Sequence, residues 1–391
     1  MHIIHVAPPI LPDVLSSSGG AIQRRIMELA VRQARRGHRV HVYSPAVIDR
    51  TETRGAVPVS LFGVGNGSLR SQWHYQRRVR DAIRATAGGN SIIHCHSTPE
   101  LAWLCRNVDI PIVMSYDEYH FRRGRATPLY WLIRLMLRCF DRLLPVSAYC
   151  ADTSAAYWRL PKGLQTIIHN GVNLEQFRPD VASGHGLRQR LRLPSPLALY
   201  VGRLNRQKGT DVLIEATRLL HDRGSAVTVV AAGPLGQFHG TPTGERWDQL
   251  LVQAGGAYLG VVDESLLPSL YNAAHVFVMP TRHLEMFGMA VIEAQATGLS
   301  VVATDHGGLR ETVGGDAGGT FVPVGDAAAL ADAIETACRG DGGAPGRASN
   351  REFASRFDWE RICNDLDAVY STLSADFRPH RSPSSAGTHG S

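Results

Sequence analysis

Twice along this 391-residue chain a short apolar run gives way to a glycine-bearing loop, then a helix pattern, then another apolar run. No other feature restricts the fold so strongly, because units of this kind build parallel sheets covered by helices. In the first series residues 2–7, HIIHVA, read as a buried strand, and Ser18-Gly19-Gly20 closes the loop after it. A helix over 21–36 puts Ile22, Ile26, Leu29, Ala30 and Ala34 on one face, and Gly37 stops it before a strand at 40–43. Residues 92–96, 112–115 and 143–147 continue the strands. The second series opens with a strand at 197–201, a helix at 211–223 and a strand at 226–232, and runs on to Val322. Between the two lies IHNGVNLEQFRP, residues 168–179, whose Asn-Gly and proline form turns and suit a hinge. The expectation is an α/β chain with two Rossmann-like domains, which this length accommodates.

The densest stretch of the second series is residues 276–311. Val276-Phe277-Val278-Met279 reads as a strand running into a polar loop with Glu285. A helix is expected from about 287 to 297, with Gly298 at C′, then a strand at 300–303 and the pair Gly307-Gly308. One carboxylate thus stands just before a helix N-terminus, and Glu293 stands about two turns inside it. The free N–H groups near 287–290 and the helix dipole favour phosphate, and Gly288 lets a ligand approach the backbone. Ionised carboxylates only accept hydrogen bonds, so the pair suits hydroxyls. A nucleotide sugar carries both. A second loop, Val201 to Gly209, holds Arg203 and Lys208 five residues apart, close enough for a guanidinium fork and an ammonium to reach one diphosphate. Among 41 basic residues only Lys162 and Lys208 are lysine, which singles the latter out.

Composition narrows the class. With 44% hydrophobic and 19% charged residues the chain reads as a soluble globular protein. A net charge of +6 suits an anionic substrate, leaves room for a weak peripheral membrane contact, and does not call for nucleic acid. No apolar run approaches the ~20 residues of a membrane span. The N-terminus lacks a basic n-region and its prolines break the apolar run, so a signal peptide is not expected and a cytoplasmic protein is. Six cysteines without a CxxC read as reduced thiols. Residues 68–86 are basic and partly aromatic, and a basic amphipathic helix lies between Arg122 and Arg142. A solvated face and a helix packed on the sheet are the preferred readings, with acceptor or bilayer contact left open. The glycines at 63–67 lack the βαβ context of a dinucleotide fingerprint. A last helix is expected over 358–373, followed by a disordered tail.

Glu285 and Glu293, with seven residues between them and Phe287-Gly288 inside, resemble the E-x7-E signature of family-4 retaining glycosyltransferases of the GT-B fold. The resemblance covers nearly the whole chain to about residue 374. It implies an acceptor domain over 1–172, a nucleotide-sugar donor domain over 173–357 facing it across a cleft, a helix over 358–374 crossing back to the first domain, and a tail over 375–391. By the same resemblance Arg203 and Lys208 bind the donor diphosphate and stabilise its charge as the glycosidic bond breaks. Glu285 bonds the donor sugar, Glu293 the ribose hydroxyls, and Phe287, Gly288, Met289 and Ala290 offer backbone contacts. The segment with Val262 lies against the base, Gly233 shapes a loop, and Gly19 and Gly20 face the cleft. His94 and His96 match a family His-x-His with a structural and cleft-lining role. His96, Glu118 and His120 are the acceptor-side candidates. No metal and no cofactor are expected. Asp117 stands where family members often carry a histidine, so it is grouped with the catalytic residues, and His120 is a substitute if the loop folds differently. The activity implied is retaining transfer from a nucleotide diphosphate sugar, UDP somewhat favoured over GDP, to a hydroxyl of a small metabolite or cell-envelope glycan. The Asp117 departure keeps a same-fold pseudo-glycosyltransferase or nucleotide-sugar epimerase open, and a non-catalytic nucleotide-sugar-binding module is the remaining reading.

Overall fold

A computed structural model describes every residue except 10–12, 16–19, 65–67, 118–126, 239–240, 243–245, 315–318, 340–343 and 378–391. The chain divides into two compact units. The first comprises Met1–Val146, Ala151–Ile168 and the chain from Cys363; the second comprises Ser147–Cys150 and His169–Ile362.

The first unit is built on seven strands: β1 (His2–Val6), β2 (Arg39–Ala46), β3 (Arg50–Arg54), β4 (Val57–Gly63), β5 (Ser91–His96), β6 (Ile112–Tyr116) and β7 (Arg142–Pro145). Their order is β3-β4-β2-β1-β5-β6-β7, all parallel except β3, which runs antiparallel on β4. Strands β1, β5 and β6 are buried throughout, as a parallel sheet covered on both faces requires. The edge strand β3 reads RTETR and is exposed at every residue. The helices are α1 (Ala21–Arg35), α2 (Leu69–Thr86), α3 (Pro99–Cys105), α4 (Pro128–Leu137) and α5 (Ala148–Trp158), the last shared between the units. Right-handed crossovers put α2, α3 and α4, whose connections all step toward β7, in one layer, and α2 packs on α3 and α3 on α4.

The second unit carries α6 (Val181–Leu191), β8 (Leu197–Val201), α7 (Thr210–Asp222), β9 (Thr228–Ala232), a small hairpin of β10 (Gln237–Phe238) and β11 (Thr241–Pro242), α8 (Trp247–Gln253), β12 (Ala257–Tyr258), α9 (Leu267–Ala273), β13 (Val276–Met279), α10 (Met289–Ala296), β14 (Ser300–Thr304), α11 (Leu309–Thr312), β15 (Gly319–Val322), α12 (Ala327–Arg339) and α13 (Ala344–Ser355). Helix α14 (Trp359–Asp376) begins here, and from Cys363 it belongs to the first unit. The six-stranded sheet has the order β12-β9-β8-β13-β14-β15, entirely parallel. Tyr200, Val212, Leu213, Val276, Val278, Val302 and Leu330 lie in its core.

Two expectations are corrected. Helix α10 starts at Met289, two residues later than expected, because Gly288 takes the left-handed conformation at φ 88° and serves as N-cap. The amphipathic segment between Arg122 and Arg142 is helical only over Pro128–Leu137 among the described residues. The β3–β4 hairpin is an addition, since its polar strand carries no apolar alternation. No helix among the described residues is long and apolar enough to cross a membrane.

Candidate functional site

In the second unit two loops leave the carboxyl ends of neighbouring strands, β8 and β13, and are stitched to each other. Gln207 C=O accepts the N–H groups of Arg282 and His283, both at 2.9 Å, and the Thr281 hydroxyl at 3.2 Å. Asn205 caps the turn over 206–208, its Oδ1 accepting the Lys208 N–H at 2.8 Å. Gly209 then opens α7 at φ 75°, and a Cβ there would stand 1.8 Å from the Pro280 carbonyl oxygen. Only glycine meets both demands. The result is the ion pair Lys208 Nζ–Glu285 Oε2 at 2.5 Å, joining the two loops in a partly exposed position. Arg203, exposed on the same β8 loop, is fixed at its backbone by the Tyr200 hydroxyl, which donates to its carbonyl at 2.8 Å. Burial first, and the charge of Glu285 second, push the Tyr200 phenol up, so it stays a donor.

Glu285 is held from behind as well. Its carbonyl accepts the Gly308 N–H at 2.7 Å, drawing the loop after β14 under it. Gly288 ends that loop, and α10 begins with Met289 and Ala290 partly exposed, their N–H groups facing no earlier turn of the helix. Glu293 sits inside α10, almost fully buried, and accepts the Tyr271 hydroxyl at 3.0 Å. Glu311 of α11 accepts the N–H groups of Ala148 and Tyr149, each at 2.8 Å, with His169 Nε2 3.6 Å away. Burial would raise the Glu311 carboxyl, but His169 and the two N–H groups outweigh it and hold the group below its ordinary value.

In the first unit the registers of β1 with β5 bring His5 beside His94, and His96 follows two residues on. His5 Nδ1 and His96 Nε2 are 3.1 Å apart, His5 Nε2 meets Gln33 Oε1 at 2.7 Å, and His94 bonds the Tyr370 hydroxyl and the Ser115 hydroxyl, both at 2.6 Å. Arg25 donates to the same Ser115 hydroxyl at 3.0 Å. The three imidazoles lie within reach of one cation. Five of the six ring nitrogens are engaged in these bonds, however, and the Arg25 charge opposes another positive ion, so the set is read as a hydrogen-bonded core.

Two family models match the chain: "Glycosyl transferases group 1" over residues 188–352 and "Glycosyltransferase Family 4" over residues 19–176. A D-inositol 3-phosphate glycosyltransferase of Xylanimonas cellulosilytica is 36% identical over 414 residues, covering 94% of this chain and 95% of that protein. The chain belongs to glycosyltransferase family 4. A phosphatidyl-myo-inositol mannosyltransferase of Mycobacterium leprae is 27% identical over 374 residues, with 90% and 93% coverage. Among solved structures, sucrose-phosphate synthase of Thermosynechococcus elongatus has a TM-score of 0.79 at 23% identity, covering 96% of this chain and 100% of that one. The Anabaena protein HepE, solved with UDP and glucose, has a TM-score of 0.76 at 19% identity, with 95% and 99% coverage. These likenesses show the fold, which is GT-B.

In this glycosyltransferase the structure brings Arg203, Lys208, Glu285, Gly288, Met289, Ala290 and Glu293 into one set of loops and one helix end. Phe287 is there by its backbone only. Its ring is buried against Phe357 and its carbonyl accepts the Thr312 hydroxyl at 2.8 Å. Gly233, at the end of β9, donates to the Gly260 carbonyl at 2.8 Å, so it ties down the segment holding Val262, which is partly exposed. Gly20 is the N-cap of α1, its N–H accepted by the Gln23 side chain at 3.0 Å. Asp117 directly follows β6 and is partly buried. His94 and His96 take the structural part of their expected role and not the cleft-lining part: strand β5 turns both rings into the fold, and His96 is only 1% exposed. Gly19, Glu118 and His120 lie outside the described residues. Asn205, Gln207 and Tyr271 are supporting residues that the motif did not name. Asn205 carried a usable signal, a capping residue three positions before Lys208. Tyr271 carried none, since it reaches Glu293 from another helix.

Proposed function

We propose that this family-4 enzyme transfers a sugar, with retention, from a nucleoside diphosphate sugar to an acceptor hydroxyl. The observation that carries the reading is the Lys208–Glu285 pair at 2.5 Å, set between a cationic loop and the first turn of α10. A diphosphate competes with Glu285 for the ammonium, Arg203 adds a second cation, and the N–H groups of Met289 and Ala290 add a third source of positive field. Released from Lys208, Glu285 accepts from sugar hydroxyls, and Glu293, oriented by Tyr271, is assigned to the ribose.

In the reaction the bond between the anomeric carbon and the diphosphate breaks. The departing phosphate oxygen takes the acceptor's proton, and the acceptor oxygen bonds the same face of the sugar. Stabilising the leaving charge with Arg203 and Lys208 assigns to two side chains the work a metal does elsewhere, so turnover should survive chelation. The donor is read as a UDP-sugar, in line with the ligands named for the Anabaena neighbour. A small phosphorylated polyol is the acceptor favoured by the relative that is 36% identical. The Asp117 departure favours no second chemistry by itself.

The test is nuclear magnetic resonance of the product made from UDP-glucose and inositol phosphates, with chelator present. An α-linked product supports the reading. A β-linked product overturns retention, and free UDP without glycoside overturns transfer.

A further inference from the structure

On the outer side of the layer formed by α2, α3 and α4, the first unit has a pocket of about 360 Å³ lined by Trp73, Arg77, Arg80 and Arg84 of α2 and by Trp103 and Arg106 at the end of α3. Its lining is that of an anion site with aromatic walls. Arg77, Arg80 and Arg84 recur three and four residues apart, so they share one helix face. Arg106 lies over the Trp103 ring at 4.9 Å. Among the described residues Asp81 pairs with Arg80, and Arg77, Arg84 and Arg106 have no carboxylate partner.

Beside this pocket, α4 turns its apolar residues outward. Trp131 is 51% exposed, Leu132 45% and Leu135 57%, and these fall on one stripe of the helix. The other face is well anchored, with Tyr130, Met136 and Leu137 buried, Tyr130 bonded to the Tyr157 carbonyl and Arg134 to that of Trp158. The outward stripe is therefore not a packing error of a loose helix. The pocket and the stripe lie on neighbouring helices, since α3 packs on α4. Arg134 stacks on Trp131 at 5.2 Å, and Arg138 is exposed beyond it. A surface with apolar side chains at its centre and arginines beside them matches one occupant, the interface of a bilayer rich in anionic lipid. A protein partner would want carboxylates matched to individual arginines, whereas lipid headgroups supply diffuse charge and phosphate together.

We propose that the α2–α3–α4 face is a peripheral membrane-binding surface. A phospholipid headgroup phosphate enters the arginine pocket while Trp131, Leu132 and Leu135 enter the acyl boundary. The inference stands apart from the donor-site reading, since none of these residues belongs to it.

The experiment is co-sedimentation of the full chain with vesicles of phosphatidylcholine alone and of phosphatidylcholine with phosphatidylglycerol. Binding only to the anionic vesicles, weakened by salt, is expected. The Arg77→Gln/Arg80→Gln/Arg84→Gln variant should partition roughly a hundredfold less, at about fivefold per charge lost near the surface. Trp131→Ser/Leu135→Ser should also lose most of its binding while keeping wild-type circular dichroism and turnover on a soluble acceptor. Equal binding to neutral vesicles, no binding, or variants that bind like wild type would overturn the proposal. So would sedimentation equilibrium showing a wild-type dimer that the apolar variant abolishes, since a second copy would then be the occupant.

Discussion

In the proposed mechanism Lys208 and Glu285 answer for different parts of the donor, so their loss should act differently. Lys208→Ala would remove a cation from the leaving group, and Glu285→Gln would weaken a charged hydrogen bond to the sugar. Each should lower kcat by about a hundredfold or more, on the order of 3 kcal/mol, in steady-state assays. Near-normal turnover in folded protein would remove both from the site. The histidine core makes a prediction about pH. Burial first, and the Arg25 charge after it, lower His5 to about 4 against the hydrogen bond to Gln33, and His94 and His96 are also held well below their ordinary value. A depressed histidine is neutral when folded and takes up a proton on unfolding, so stability is full above about 6.5 and is lost as pH falls toward 4. His5 alone accounts for roughly 3 kcal/mol of that loss. Urea melts at pH 7.5, 6 and 5 should show it, and His5→Asn should flatten the slope.

Among the elements, the loop between β8 and α7 depends on one backbone position. Gly209→Ala must adopt φ 75° and also drive its Cβ against the Pro280 carbonyl, so it should destabilise the fold by at least about 2 kcal/mol and impair nucleotide binding. Gly37→Ala is the control: its φ is 84°, but nothing lies within 4 Å of the added carbon, so only the roughly 1 kcal/mol of left-handed strain applies. Urea denaturation of both variants separates conformational strain from the close approach. These elements also show what a sequence carries. Strands such as Leu197–Val201 and Val276–Met279 were legible because parallel strands buried on both faces read as unbroken apolar runs. The start of α10 was misjudged because Phe287 looks like a helix former, while its ring is claimed by Phe357 and His169, brought in from distant segments. The E-x7-E frame located the carboxylates but not what orients them, since Tyr271 reaches Glu293 only through tertiary packing. His96 was read as lining a surface because its strand-end position is visible in the sequence and the inward turn of its ring is not.

At the scale of the whole molecule, two units with separate cores should respond unequally to a nucleotide. UDP at a hundred times its dissociation constant should stabilise the protein by about 2.7 kcal/mol. Hydrogen exchange should place the protection over residues 202–209 and 285–293, and Arg203→Ala should abolish it. Protection spread evenly over both units would contradict the donor assignment. The first unit's sheet ends in β3, five exposed residues that alternate charge with threonine and glycine-free backbone, and an open row of N–H and C=O groups is the place where one folded molecule could template another. Arg50, Glu52 and Arg54 make that row repel its own image, since each copy would have to bury ionised groups to add a strand. At high protein concentration the charges on these five residues work against fibrous self-assembly, a property that no measurement of turnover would register.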